Sequence, residues 1–137
     1  MRVLIPRALK ARETLPQSLS SAGAEVTIAP VYQNVLPTSS TGECLKDDLR
    51  SSLQEKSVDM VTFTSSSTVK NFVALLDIDT PDELQKLMSG VAVAAIGPIT
   101  AKTAENAGLK VDVQPEEFTI PDLVDGIVMY FNAQSEG

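Results

Sequence analysis

Apolar residues along this chain switch between two spacings, and the switches lay out alternating strands and helices. The clearest switch lies in Val58–Phe72, VDMVTFTSSSTVKNF. Val58–Thr64 reads as a buried strand, and three hydroxyl residues, Ser65, Ser66 and Ser67, follow it. Val69, Phe72, Val73 and Leu76 then recur at i, i+3, i+4 and i+7, the single apolar face of a helix packed back on its strand. The serines fall where the first N–H groups of the helix have no backbone partner. There they either cap the helix or hold an anion against its positive end.

The same alternation runs through the rest of the chain. Val3-Leu4-Ile5 predicts a short strand stopped by Pro6. Thr14 and Gln17 have capping-box spacing for a helix with Leu15, Leu19 and Ala22 inward and Gly23 at its left-handed end. Ala24–Ala29 is a second strand ended by Pro30, which completes a βαβ unit. Residues 31–42 predict an extended linker, proline-bracketed over 31–37 and a polar loop over Thr38–Gly42. A helix over Glu43–Glu55 carries Leu45, Leu49 and Leu53. Thr80 caps a surface helix reaching Gly90, with Pro81 at its first position.

Val91–Ile96 is a second fully buried strand and runs into Gly97-Pro98-Ile99-Thr100, with Thr100 a cap or a ligand hydroxyl. Ala101, Ala104 and Ala107 form a small-residue helix face closed by Gly108. Leu109–Val113 is the fifth strand, stopped by Pro115. Thr119 caps a last helix whose inner face is Ile120, Leu123, Val124, Ile127 and Phe131, and residues 132–137 are expected to fray into a disordered tail.

Five strands alternating with helices predict one α/β domain over 1–137, a doubly wound, flavodoxin-like, five-stranded parallel sheet. Ligands of such sheets bind beyond the carboxyl ends of the strands. That rim gathers Arg7, Tyr32, Ser65, Ser66, Ser67, Gly97, Pro98, Thr100 and Thr119. Two steps also echo each other, AGAEVTIAP at 22–30 and AGLKVDVQP at 107–115, a shape that any α/β sheet can require.

Composition narrows the chemistry. A net charge of −7 argues against nucleic acid or an anionic membrane as a general partner. No apolar run is long enough to span a bilayer. The absence of histidine removes every Ser–His and Cys–His arrangement, and with the lone Cys44 it argues against a zinc site. One cysteine and a strand starting beside Met1 lead us to expect a cytoplasmic protein, or one of the plastid stroma after loss of a transit peptide. No G-x-G-x-x-G follows the first strand, and no P-loop occurs. A receiver-type acidic pocket is excluded by Pro6-Arg7 and Thr64-Ser65 at the positions that would need carboxylates.

Four segments in order then resemble one family. VTFTSSSTVKNF, AAIGPITAKTAENAGLKVDV and the threonine-led final helix are similar to the C-terminal half of uroporphyrinogen-III synthase, and VLIPRA…GAEV…PVYQ to its middle segment. The resemblance implies closure of hydroxymethylbilane to uroporphyrinogen III, with ring D inverted through a spiro intermediate and no cofactor or metal. Tyr32 matches the family tyrosine that assists departure of the hydroxyl, Ser65 the first serine of a T-S-P-S turn, and Thr100 the second threonine of G-P-T-T. Ser66 stands where the family has proline, and Ile99 where it has the first threonine.

The family chain builds two α/β domains joined by extended linkers. On that pattern Met1–Val31 belongs to one domain, Val58–Phe131 to the other, and Tyr32–Pro37 to the linker. This chain corresponds to about half of such an enzyme. Either its connector folds back into one five-stranded domain, or two copies exchange βαβ units as a homodimer. The competing reading is a non-catalytic module that binds a tetrapyrrole or a partner chain.

Overall fold

The computed structural model describes residues 1–37 and 39–136, and over 39–44 the backbone alone. Thr38 in the expected polar loop, the side chain of Cys44, and Gly137 lie outside the described residues. The chain forms two compact units, Met1–Val35 and Leu36–Gly137, and the division falls inside the proline-bracketed connector.

The first unit is a βαβ step, β1 (Arg2–Ala8), α1 (Thr14–Ser21) and β2 (Glu25–Tyr32). The strands pair in parallel from Arg2↔Glu25 to Ala8↔Tyr32, with one irregularity between Arg7 and Ala8. Both run past the prolines expected to stop them, Pro6 and Pro30. A two-stranded sheet leaves half of each strand's N–H groups unpaired, so a missing donor is tolerated there. The Thr14–Gln17 capping box does not form. Glu13 takes the cap position without a side-chain cap, and its carboxylate pairs with Arg7. Little of this unit is buried beyond Ala8, Pro16 and Ala24; Leu15, expected inside, is 58% exposed.

The second unit begins with α2 (Ser39–Gln54), so helix occupies the backbone from Ser39, where the polar loop was expected. Burial rises along its stripe from exposed Leu45 through Leu49 to buried Leu53. Next come β3 (Met60–Phe63), α3 (Ser66–Leu76), α4 (Pro81–Leu87), β4 (Ala92–Ala95), α5 (Pro98–Asn106) and α6 (Ile120–Ser135). Thr80 accepts from Glu83 N at 3.2 Å, which caps α4 as its sequence requires. Cations of α2 hold the carboxyl end of α3: Arg50 donates to Leu76 O, and Lys46 pairs with Asp77 at 2.9 Å.

Strands β3 and β4 pair in parallel from Met60↔Ala92 to Phe63↔Ala95. Where a single five-stranded sheet was expected, the described residues show two parallel pairs. The fifth strand is reduced to one bridge, Ala94↔Val113. The cause is local: the Asp112 carboxylate takes Val93 N at 2.9 Å, a donor that a regular ladder gives to a backbone carbonyl.

Side chains alternate across this pair into two cores. Leu53, Phe63, Val69, Leu76, Leu84 and Val93 fill one, where the Phe63 and Phe72 rings meet edge to face at 5.3 Å. Ala94, Val113 and Leu123, with Ile127 and Tyr130 beside them, form the other under α6. The inner face of α6 is therefore Leu123, Ile127 and Tyr130; Ile120 and Val124 are at least half exposed, and Phe131 also lies on the exposed side. The helix continues to Ser135.

Candidate functional site

Three chain reversals stand at the carboxyl ends of the parallel strands of the second unit: β3 into α3, β4 into α5, and the Val113 bridge into α6. Each helix start exposes N–H groups with no partner inside the helix, and each solves the problem differently.

At α3, Ser65 is the cap in extended conformation, and its hydroxyl accepts from Thr68 N at 3.2 Å. Its oxygen also lies 2.6 Å from Thr68 Oγ1 and 3.2 Å from Ser67 Oγ. The bland expectation, that these serines cap, thus holds for Ser65. Ser66 does something else. Its hydroxyl lies 3.1 Å from Thr103 Oγ1 and 3.5 Å from Ile99 O, both on α5. Thr103 also donates to Ile99 O at 2.9 Å. A hydroxyl clamp therefore ties the first turns of α3 and α5 together.

At α5 the cap is Gly97, which offers no side-chain acceptor, and Pro98 occupies the first turn. Those N–H groups are not consumed by a cap. Thr100 is no cap: it is a buried residue inside the first turn, 6% exposed. At α6, Thr119 accepts from Asp122 N at 3.3 Å and donates to the Asp122 carboxylate. Asp122 also lies in that helix's first turn, so the α6 start carries its own negative charge. The starts of α3 and α5 carry no acidic residue in the first turn. By charge they are more favourable to an anion than the α6 start.

The first unit places its two candidates at the same end of their strands. Arg7 donates to Arg12 O at 3.1 Å and pairs with Glu13, while its Nε is buried and unpartnered. Tyr32 ends β2, 60% exposed, and its carbonyl accepts from Leu9 N at 2.7 Å. The second unit thus brings together Ser65, Ser66, Ser67, Gly97, Pro98 and Thr100, whereas Arg7 and Tyr32 belong to the first.

Sequence reasoning missed Thr103 and Phe118. Thr103 had a readable signal, because a helical threonine often returns its hydroxyl to the carbonyl four residues back, here Ile99. Phe118 had none, since its importance comes from a contact across the fold with Gly97. Among the described residues no cluster of acidic or cysteine side chains is arranged to hold a metal, and no helix is long and apolar enough to cross a membrane.

Comparison with known proteins decides the family. The model described as uroporphyrinogen-III synthase HemD matches residues 1–125. The chain belongs to the uroporphyrinogen-III synthase family. It is 38% identical over 128 residues to the putative uroporphyrinogen-III synthase of Methanothermobacter thermautotrophicus, covering 93% of this chain and 49% of that one. It is 34% identical over 124 residues to the synthase of Synechococcus elongatus, covering 90% and 45%. The chain thus spans about half the length of these relatives.

The fold agrees with the family. Uroporphyrinogen-III synthetase of Helicobacter pylori superposes with a TM-score of 0.69 at 17% identity, over 94% of this chain and 53% of that one. The Thermus thermophilus synthase gives 0.63 at 18%, over 96% and 51%. At such identities the likeness speaks for the α/β fold alone. The family match takes in both strand–helix junctions tied by the Ser66–Thr103 clamp.

Proposed function

We propose that this chain is a half-length uroporphyrinogen-III synthase, corresponding to the C-terminal half of the family chain, and that it closes hydroxymethylbilane to uroporphyrinogen III. The observation that carries this reading, beyond family membership, is the paired starts of α3 and α5. They are tied by Ser66, Thr103 and Ile99 O and carry no acidic residue in either first turn. A linear tetrapyrrole with many carboxylates is the kind of ligand such a rim suits.

In this reading Ser65, Ser66, Ser67, Gly97, Pro98 and Thr119 line the substrate rim, with Thr100 buried in the first turn of α5 and Arg7 contributing positive charge. Backbone N–H groups of the α5 start receive carboxylates directly, because Gly97 has no side chain to occupy them. Tyr32 donates a hydrogen bond to the departing hydroxyl, which takes up a proton and leaves as water, giving an azafulvene. The substituted α-carbon of ring D attacks its exocyclic methylene to form the spiro centre. The bond from that α-carbon to its original bridge methylene then breaks, and the freed methylene bonds to the unsubstituted α-carbon of ring D. Loss of the proton there restores the pyrrole with the ring inverted. These steps call for no metal or redox cofactor.

Each two-stranded sheet is marginal by itself. In our reading a five-stranded flavodoxin-like arrangement is completed either by fold-back within a chain or by exchange of βαβ units between two copies in a homodimer. We place the enzyme in the cytoplasm or, after loss of a transit peptide, the plastid stroma. Because the chain spans half of its relatives, a tetrapyrrole-binding module without turnover is the second reading. Supplying hydroxymethylbilane and separating uroporphyrins I and III after oxidation decides between them. Isomer III supports the synthase, and isomer I alone from folded chain supports the module.

A further inference from the structure

One ring at the rim is largely exposed although it is held in place from one side. Phe118 precedes the cap Thr119 and is 61% exposed, although a phenylalanine in an α/β unit ordinarily goes inside. It is not loose. A Cβ built on Gly97 would lie 3.2 Å from Phe118 Cγ and 3.3 Å from Cδ1, so the ring sits on the bare backbone of the α5 cap. Ile99 and Ile120, each two residues from that contact along the chain, are 52% and 54% exposed. An aromatic ring braced on glycine, with its outer side open, thus stands beside the α5 start.

We infer that Phe118 is a specificity-determining residue whose open side receives a pyrrole ring of the tetrapyrrole. The inference rests on the synthase reading above. A pyrrole is flat and rich in π electrons, and it suits offset stacking or an N–H directed at the ring face. Its carboxylate arms are repelled by Glu116 and Glu117, just before Phe118, and attracted to the α5 start, which carries no acidic residue in its first turn. One aromatic and one helix end thus orient the same ring by two different chemistries.

A residue in this position can also serve as a hydrophobic staple for the helix that follows it. The test separates the two roles. Uroporphyrin III is titrated into the full chain by calorimetry, with wild type, Phe118→Ala, Phe118→Leu and Phe118→Tyr compared, and light scattering reports the mass of each. The expected result is about tenfold weaker binding for both Phe118→Ala and Phe118→Leu, near-native binding for Phe118→Tyr, and unchanged masses. Native affinity in Phe118→Ala, rescue by leucine, or a changed mass on truncation each overturns the proposal and assigns the ring to packing or to a chain–chain contact. Wild type that binds no uroporphyrin III overturns this inference, while the synthase reading stands or falls separately on the isomer analysis. Wild type that binds, with an indifferent Phe118→Ala, overturns the ring's role alone.

Discussion

Two glycines of the second unit allow backbone strain and steric overlap to be measured apart. Gly90 and Gly108 both sit at positive φ, +81° and +101°. A Cβ on Gly90 meets nothing within 4 Å, whereas one on Gly108 would lie 2.9 Å from Pro81 Cβ and 3.3 Å from its Cα. Pro81 cannot swing aside, because its ring is part of the first turn of α4 and Thr80 caps that turn. Gly90→Ala should therefore cost only the left-handed strain, about 1–2 kcal/mol. Gly108→Ala adds overpacking of about 1–3 kcal/mol, for about 2–5 kcal/mol in all. Urea unfolding followed by far-ultraviolet circular dichroism measures both, with the slope m checked for constancy. Costs for the two variants within about 0.5 kcal/mol of each other would refute the claimed closeness of the α5 end to α4.

Three further outcomes follow from the same contacts. Ser66→Ala and Thr103→Ala should each lose about 0.5–1.5 kcal/mol, and the double variant less than their sum, because both remove one clamp; strict additivity in a double-mutant cycle would contradict the clamp. Asp122→Asn should bind uroporphyrin III about two- to fivefold more tightly, since it removes the negative charge from the α6 start; weaker or equal binding would show that the rim does not sense that charge. The hydrogen bond from Lys46 and its positive charge lower the Asp77 carboxyl below its usual 3.8. That contribution is complete above pH 3.8 and lost as pH falls through the lowered value, so the gap in urea midpoint between wild type and Lys46→Ala should close in acid. A gap constant over that range would disprove the pairing.

The element order was legible because period-two and period-3.6 patterns alternate cleanly, and because Ser65, Thr80 and Thr119 each cap the helix they precede. What misled were signals whose meaning depends on the neighbouring strand. Pro6 and Pro30 look like stops, yet a two-stranded sheet accommodates them. Leu109–Val113 looks like a strand, yet the Asp112 carboxylate claims the Val93 donor and pairing shrinks to one bridge. Thr14 and Gln17 fit a capping box, but helix α1 starts a residue too early for Thr14 to cap it, with Glu13 at the cap and turned to Arg7.

The site divided in the same way. The serine turn and Gly97–Pro98 were visible as strand-to-helix junctions. The clamp from Thr103 and the ring on Gly97 join residues far apart in sequence, and no local pattern announces them. Thr100 and Thr119 look equivalent in sequence as hydroxyls near helix starts. In the fold one is buried within its first turn and the other is engaged by Asp122.

The most direct test of the synthase account is isomer analysis across a series of chain concentrations. Hydroxymethylbilane is supplied, the products are oxidised, and uroporphyrins I and III are separated against a blank without protein, in which closure gives isomer I. The account predicts isomer III above the blank. Its yield per chain should rise with concentration if exchanged copies build the cleft, and stay constant if one chain suffices. Isomer I alone at every concentration, from chain shown to be folded, would contradict it.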